Sequence, residues 1–201
     1  MQHRNMSRRS FIAAGCAAVA VMAVVRPRLG QADIDVNFVS QVPLTIAAAK
    51  GDVQKVHDLI ISGTSPNLTD GSGTVRPAIG WAALEGHTDV VEELLKAPRI
   101  QPNYKDKDGN TALILAAQRG HADTVEALIR AKVNLNVDNK DGMTALILAA
   151  QNGFARCVQL LVKAGADTTI QDRTGRTALD WAKDNNRQDV INVLRRSSPK
   201  S

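Results

Sequence analysis

Two nearly identical segments decide the fold: ALILAAQRG at residues 112–120 and ALILAAQNG at residues 145–153. Three further segments align with them, PLTIAAAKG at 43–51, AIGWAALEG at 78–86 and ALDWAKDNN at 178–186. The last residues of the five segments are spaced by 35, 34, 33 and 33 residues. A period of this length, sustained along most of the chain, indicates an array of repeated structural units.

Each unit has the pattern of two short helices joined by a glycine, with Asn186 in its place in the last unit. Paired alanines allow the first helix to approach its neighbours closely, and the following glycine ends that helix because it tolerates a left-handed backbone. In the second helix, apolar residues such as Val90 and Leu94 recur at helical spacing. Asp108-Gly109 is a turn signal between one repeat and the next. Because aromatic residues make up only 3% of the chain, packed helices are favoured over a β-sandwich.

These features resemble the ankyrin-repeat family, whose unit runs Asp-x-x-Gly-x-Thr, then Pro-Leu-His-x-Ala-Ala, then Gly-His and a second helix. The matching residues of the third repeat are Asp106, Gly109, Thr111, Leu113, Ala116, Ala117, Gly120, His121, Val125, Leu128 and Ile129. The resemblance implies an all-α solenoid of about five helix-turn-helix repeats with hairpin-like connecting turns. We therefore expect an ankyrin-repeat domain at residues 33–196 and a disordered tail at residues 197–201.

Some repeats depart from the family pattern. Ala112 and Ala145 replace the usual proline, and Ile114 and Ile147 replace the usual histidine, which removes part of the polar network at the helix start. The second repeat has lost the turn motif and carries a longer, Gly-rich connection at residues 69–77.

The first 32 residues are predicted to be an export signal. The segment SRRSFI at residues 7–12 resembles the twin-arginine motif, and the uncharged run at residues 11–25 is shorter than the roughly 20 residues that span a bilayer. We expect cleavage after Ala32, export by the twin-arginine translocase to the periplasm of a bacterium, and no stable membrane anchor thereafter. Two alternatives remain open at this point: a lipoprotein attached at Cys16 and an uncleaved anchor.

The positive charge belongs to this first segment. The chain has a formal net charge of +5, and residues 1–32 contain five arginines and no acidic residue. The rest of the chain is neutral, so we expect no nucleic-acid partner. After cleavage Cys157 is the one remaining cysteine, which excludes an intramolecular disulfide.

No arrangement of residues suggests catalysis, so we predict that the protein is not an enzyme and has no cofactor and no metal. His87 and His121 follow helix-ending glycines and are predicted to be structural. His57 has no metal-ligating residue at a suitable spacing. Cys157 is predicted to be a half-buried core thiol.

In the family, binding residues lie at the turn tips and at the exposed ends of the first helices, on the concave surface. The residues predicted here to bind a protein are Arg76, Trp81, Lys107, Asn110, Arg119, Lys140, Met143, Asn152, Arg173 and Arg176. Because the tips are mostly basic, we expect a partner with an acidic contact surface. Opposite charge should then collect elsewhere, for example at Glu92, Glu93 and Glu126.

The resulting functional hypothesis is a monomeric, non-catalytic periplasmic module that stabilises, inhibits or positions another envelope protein. The alternative class is a small-molecule or cell-wall binder, or an enzyme with an unrecognised site. That class would need a convergent polar pocket, and the spacing of polar residues indicates none.

Overall fold

The computed structural model describes residues 36–71 and 73–197, with the side chains of residues 43–71 and 73–196. These residues form five consecutive helix pairs: α1 Val36–Lys50 and α2 Val53–Ile61, α3 Ala78–Glu85 and α4 Thr88–Lys96, α5 Ala112–Arg119 and α6 Ala122–Arg130, α7 Ala145–Asn152 and α8 Ala155–Lys163, α9 Ala178–Asp184 and α10 Gln188–Ser197. Within these ranges the only β-structure is two isolated bridges, Thr69–Pro77 and Asp138–Thr144. The predicted all-α array of five helical repeats is confirmed.

Several predicted boundaries fall at or beyond the limits of this description. The expected signal at residues 1–32 and its cleavage after Ala32 lie outside the described residues. Ser197, which we assigned to the tail, is the last residue of α10, and residues 198–201 lie outside. Among the described helices, none combines the length and the hydrophobicity needed to cross a membrane.

The helices form two layers. The first helices α1, α3, α5, α7 and α9 pack side by side in one layer, and the second helices α2, α4, α6, α8 and α10 pack in the other. Ala116 and Ala117 are fully buried, as are Ala149 and Ala150 of the next repeat, so the first helices meet through small side chains. Leucine and valine of the second helices fill the space between the layers. A fully buried Leu or Val stabilises the fold by about 2 kcal/mol, and no helix pair can bury its apolar face without a neighbour.

A threonine caps the amino-terminal end of α5, α7 and α9. The hydroxyls of Thr111, Thr144 and Thr177 accept the backbone N–H three residues further on, at 3.4, 3.3 and 3.3 Å. These caps satisfy one of the N–H groups that every helix start leaves free. The helix starts therefore keep a polar contact although Ile114 and Ile147 replace the family histidine.

A left-handed glycine follows α1, α3, α5 and α7, and a side chain of the next repeat lies against it. The pairs are Gly51 with His87, Gly86 with His121, Gly120 with Phe154 and Gly153 with Arg187. A Cβ at Gly86 would lie 2.6 Å from Nδ1 of His121. Only glycine combines this close approach with a φ of 78°. We call this contact the glycine joint.

Each glycine joint also satisfies a carbonyl that the end of the first helix leaves free. The donor–acceptor pairs are His87 with Ala49, His121 with Leu84, Asn152 with Gln118 and Arg187 with Gln151, at 3.1, 3.0, 3.3 and 3.4 Å. Because a carbonyl only accepts, Nε2 of both histidines carries a proton. The prediction that these histidines are structural is confirmed. In the fourth repeat Phe154 covers the glycine and Asn152 supplies the donor.

The glycine joint predicts that Gly86→Ala destabilises far more than a left-handed backbone alone would. We expect the free energy of unfolding to fall by roughly 3 kcal/mol, because the new methyl group adds a steric clash with the His121 ring to the cost of a left-handed alanine. The matched control is Gly165→Ala, since Gly165 has a φ of 91° and open space where its Cβ would be. That change should cost only about 1 kcal/mol. Equal losses in urea denaturation would contradict the joint.

Candidate functional site

The connections before α3, α5, α7 and α9 end in four tips whose residues align position by position. The tips are residues 73–76, 107–110, 140–143 and 173–176, and together we call them the tip row. The third position is left-handed in every tip, with φ between 49° and 84°. Equivalent residues of successive repeats therefore lie in register.

Backbone hydrogen bonds join the tips to one another. In the last three tips, the N–H at the first position donates to the carbonyl at the second position of the preceding tip. The bonds are Lys107 to Thr74, Lys140 to Asp108 and Arg173 to Asp141, at 2.9, 3.0 and 3.1 Å. The tip row is therefore one continuous backbone strip, and the backbone positions that carry its side chains are fixed relative to one another.

A carboxylate or amide at the start of each turn shapes the tip. Oδ1 of Asp106 accepts the N–H groups of Asp108 at 3.0 Å and of Asn110 at 2.8 Å. Asn139 and Asp172 make the equivalent bonds in the next two repeats. Such side-chain bonds to the following backbone are the usual reason for Asp and Asn at turns.

The second repeat keeps this turn in a longer form, which corrects our expectation that the motif is lost. Oδ1 of Asp70 accepts the N–H of Arg76 at 3.3 Å, six residues along the chain instead of four. The connection therefore has two extra residues, but the same kind of contact closes it.

Two of the predicted binding residues are buried, so the expectation that they are exposed at tips is wrong. Arg76 is 9% exposed and Met143 is 7% exposed. Nη2 of Arg76 lies 2.8 Å from Oδ2 of Asp106, which joins the tip of the second repeat to the turn of the third repeat. Met143 belongs to the hydrophobic core. Both occupy the fourth tip position, where Asn110 and Arg176 are also partly buried.

Trp81, another predicted binding residue, contributes to its own turn. Its indole N–H donates to Oδ2 of Asp70 at 3.1 Å, and the guanidinium of Arg76 lies 4.8 Å from its ring centroid. The ring is half-buried. The fifth repeat repeats the arrangement, with the indole of Trp181 donating to an aspartate. Neither contact was anticipated, although both tryptophans occupy the same repeat position and follow an Asp at the turn start.

The remaining predicted residues divide into engaged and unengaged groups. The amide of Asn139 donates to Oδ1 of Asn110 at 3.0 Å, and Arg176 lies 3.6 Å from the Trp181 ring centroid. The amide of Asn152 is used in its glycine joint.

Lys107, Lys140 and Arg173, at the first tip position, are exposed, as is Arg119 at the end of α5. No ion pair joins these four side chains to any part of the chain that the structure describes. The structure thus brings three unpaired cations into one line along the tip row.

Acidic residues lie directly beside this line, which the sequence argument overlooked. Asp108 and Asp141 occupy the second tip position and are exposed. The sequence already shows these acidic residues in the Lys-Asp-Gly that recurs at residues 107–109 and 140–142. The tip row therefore carries a line of positive charge next to a shorter line of negative charge.

The acidic residues expected away from the tips are partly neutralised. Glu92 on α4 pairs with Arg130 on α6 at 2.9 Å. Glu93 lies 2.6 Å from Nδ1 of His57 and 3.0 Å from Lys96, and hydrogen bonds from these two groups lower the pKa of its carboxyl. The contacts of Glu92 with Arg130 and of Glu93 with His57 link successive second helices.

The described residues offer little reactive chemistry. Within residues 36–71 and 73–197, no three His, Cys, Asp or Glu side chains are grouped as metal ligands would be. Cys157 is 1% exposed, so it is more deeply buried than we expected, and burial raises the pKa of its thiol to about 11. The thiolate is the nucleophilic form, so this side chain serves packing.

Asp172, the residue directly before the last tip, accepts four hydrogen bonds. Burial opposes its ionisation, yet bonds from the Thr174 hydroxyl, two backbone N–H groups and the Trp181 indole lower its pKa to about 2. The Thr174 hydroxyl lies 2.6 Å from one oxygen, and the indole nitrogen lies 2.8 Å from the other. The ionised form thus holds the last tip in shape.

Comparison with known proteins finds the same repeat. A family model described as ankyrin repeats (3 copies) matches residues 44–139 and again 118–200. The chain is 37% identical over 87 residues to the mitochondrial liver isoform of glutaminase from Rattus norvegicus, which covers 43% of this chain and 14% of that protein. It is 33% identical over 92 residues to photoreceptor ankyrin repeat protein from Homo sapiens, covering 45% of this chain and 20% of that protein.

A third relative is ankyrin repeat domain-containing protein 63 from Mus musculus, 35% identical over 88 residues, or 42% of this chain and 22% of that protein. The chain thus spans less than a quarter of the length of each of these three relatives. The similarity to glutaminase covers the repeat region alone.

We expect the Asp172 carboxylate to make stability depend on pH in strong acid. A carboxyl with a lowered pKa contributes fully above its ordinary value near 3.8, and its contribution disappears as the pH falls towards about 2. The loss should be about 2 kcal/mol. Asp172→Asn should remove this part of the acid sensitivity and destabilise the protein at neutral pH, because its amide N–H₂ would face the indole N–H.

The test is thermal or urea unfolding of both proteins at several pH values, with Asp172→Asn/Trp181→Phe as the control. Phenylalanine has no indole donor, so the double variant should lose less than the sum of the single changes. A parallel pH dependence of wild type and Asp172→Asn would contradict the assignment.

Proposed function

Because the chain belongs to the ankyrin-repeat family, we propose that it is a non-catalytic protein-binding module that works in the bacterial periplasm. Ankyrin repeats generally form interaction scaffolds without catalytic activity. The observation that carries the proposal is the tip row, in which exposed side chains of successive repeats are held in register by backbone hydrogen bonds. A surface of this kind presents its contacts from fixed backbone positions, so its backbone loses little conformational entropy on binding.

The charges of the tip row favour a partner with carboxylates on its contact surface. Lys107, Lys140 and Arg173 are exposed and have no ion-pair partner among the described residues. Binding therefore breaks no existing salt bridge. Asp108 and Asp141 lie beside them, so a uniformly acidic surface would be repelled at the second tip position. The complementary partner carries acidic groups in one line.

The proposed role is to stabilise, inhibit or position another protein of the cell envelope. The sequence SRRSFI at residues 7–12 supports export by the twin-arginine route, which carries folded cargo. Repeats that interact mainly with their nearest neighbours can complete their fold before export, because each glycine joint uses adjacent segments of chain.

Reversing the charges of the tip row should abolish partner binding without unfolding the array. In Lys107→Glu/Lys140→Glu/Arg173→Glu, three attractive contacts become repulsive, and we expect capture of the partner to fall by at least tenfold. The measurement is co-purification with the tagged protein from the periplasm of its own cells, with the unfolding temperature checked for each variant.

The matched control reverses three exposed cations that also have no ion-pair partner among the described residues and lie on or just after second helices, in Lys55→Glu/Lys132→Glu/Lys163→Glu. It changes the net charge by the same amount, so it should leave capture near the wild-type level. Equal capture by wild type and by the tip-row variant would contradict the proposed surface. Recovery of no protein at all would favour the small-molecule or cell-wall alternative.

Export should depend on the paired arginines of the first segment. We expect Arg8→Lys/Arg9→Lys to leave the protein in the cytoplasm, since the twin-arginine pathway reads both guanidinium groups, while Arg26→Lys/Arg28→Lys should still be exported. Cell fractionation and immunoblotting measure the distribution. Periplasmic delivery of the first variant at the wild-type level would contradict this route.

A further inference from the structure

Val75 is the one residue at the third tip position that is not glycine. The equivalent residues are Gly109, Gly142 and Gly175, with φ values of 84°, 77° and 81°, whereas Val75 has a φ of 49°. The left-handed region is unfavourable for any residue with a Cβ, and a β-branched side chain there is an outlier. The backbone of the tip at residues 73–76 is therefore strained at Val75, where glycine would remove the strain.

The strain at Val75 brings no matching gain in burial. Its side chain stays 40% exposed, and it is absent from the hydrophobic core. At the neighbouring tip, a Cβ on Gly109 would come within 2.9 Å of the Lys140 backbone nitrogen. Strain that the fold does not need is typical of positions kept for function. An exposed apolar group on the tip row is therefore a candidate contact residue.

The tip row accordingly has two chemically different parts. Val75 gives the second repeat an apolar group, and half-buried Trp81 belongs to the same repeat. The next three tips present Lys107, Lys140 and Arg173, one cation per repeat. A ligand that matches this order carries one apolar residue at one end, followed by carboxylates at the repeat spacing.

We propose, on the basis of the proposed function, that the partner presents an extended segment of this composition, in which acidic residues recur at every third position beside one apolar residue. Packed helices are spaced by about 8–10 Å, which sets the distance from one tip to the next. A polyproline II segment advances about 9.3 Å in three residues and returns those residues to the same face. An α-helix returns to the same face after three to four residues, about 5 Å, and again after seven residues, about 10.5 Å, so neither return falls within the tip spacing.

The probes are short fluorescein-labelled peptides of alanine and proline that carry three glutamates spaced by three residues. Val75 occupies the third tip position and the cations the first, and either chain direction is possible. One pair of peptides therefore has a leucine two or three residues before the first glutamate, and another pair has it two or three residues after the last. A control peptide of the same composition has its three glutamates adjacent. We expect one of the spaced peptides to bind at least tenfold more tightly than the control peptide in fluorescence anisotropy at low salt.

Two substitutions separate the contact made by Val75 from its effect on the fold. Val75→Gly removes both the apolar group and the backbone strain, so it should weaken the peptide about fivefold and raise the unfolding temperature by about 3 °C. Val75→Ala keeps a Cβ, so it should weaken the peptide similarly with little thermal gain. The matched control is Ile61→Ala, which removes an exposed apolar residue at the end of α2 and should leave the peptide affinity unchanged.

An unchanged affinity in Val75→Gly, or equal binding of the spaced and adjacent peptides, would overturn the inference. These outcomes are distinct from failure of the proposed function. If no peptide binds but the tip-row charge reversal still abolishes partner capture, the protein-binding role stands and the extended acidic segment is wrong. If no peptide binds and the tip-row charge reversal also leaves partner capture unchanged, both the extended acidic segment and the proposed function are contradicted.

Discussion

The glycine joint is the constraint on which the array depends. A helix pair of this size cannot bury its own apolar face, so its stability comes from contact with its neighbours. The left-handed glycine lets the next repeat approach until its side chain lies against the bare backbone, as His121 does at Gly86. The same repeat then satisfies a free carbonyl of the helix it approaches, as His121 does for Leu84, so close packing does not leave that carbonyl without a donor.

Each glycine joint needs a side chain that covers the glycine and a donor for the free carbonyl, and different residues supply them. A histidine provides both at the first two interfaces. At the third, Phe154 covers Gly120 and Asn152 donates the hydrogen bond. At the fourth, the stem of Arg187 covers the glycine and its Nε donates. A residue that looks like a departure from the repeat can therefore preserve the contact.

The features predicted from the sequence are those that each repeat specifies by itself. The period, the helix-ending glycines and the Asp-Gly turns locate all five helix pairs, and Asn186 has a left-handed φ of 55° where glycine is missing. The site was harder to predict because its residues depend on contacts between repeats. Arg76 has the sequence position of an exposed tip residue. Its side chain is buried because it packs against Gly80, which has no Cβ, and because its guanidinium pairs with Asp106 of the next repeat. Val75 is distinguished by its backbone angle, which aligned residue types alone do not display.

The direction of the glycine joint makes the two ends of the array unequal. The carbonyl always belongs to the earlier repeat and the donor to the later one. Removal of the last repeat leaves Gly153 uncovered and the carbonyl of Gln151 without its donor, at a newly exposed face. Removal of the first repeat separates the ring of His87 from its glycine and its acceptor carbonyl, and the joint glycines and carbonyls of the remaining repeats keep their partners. Truncation from the carboxyl end thus uncovers both the glycine and the carbonyl of a joint, whereas shortening from the amino end leaves the glycine and the carbonyl of each remaining joint covered.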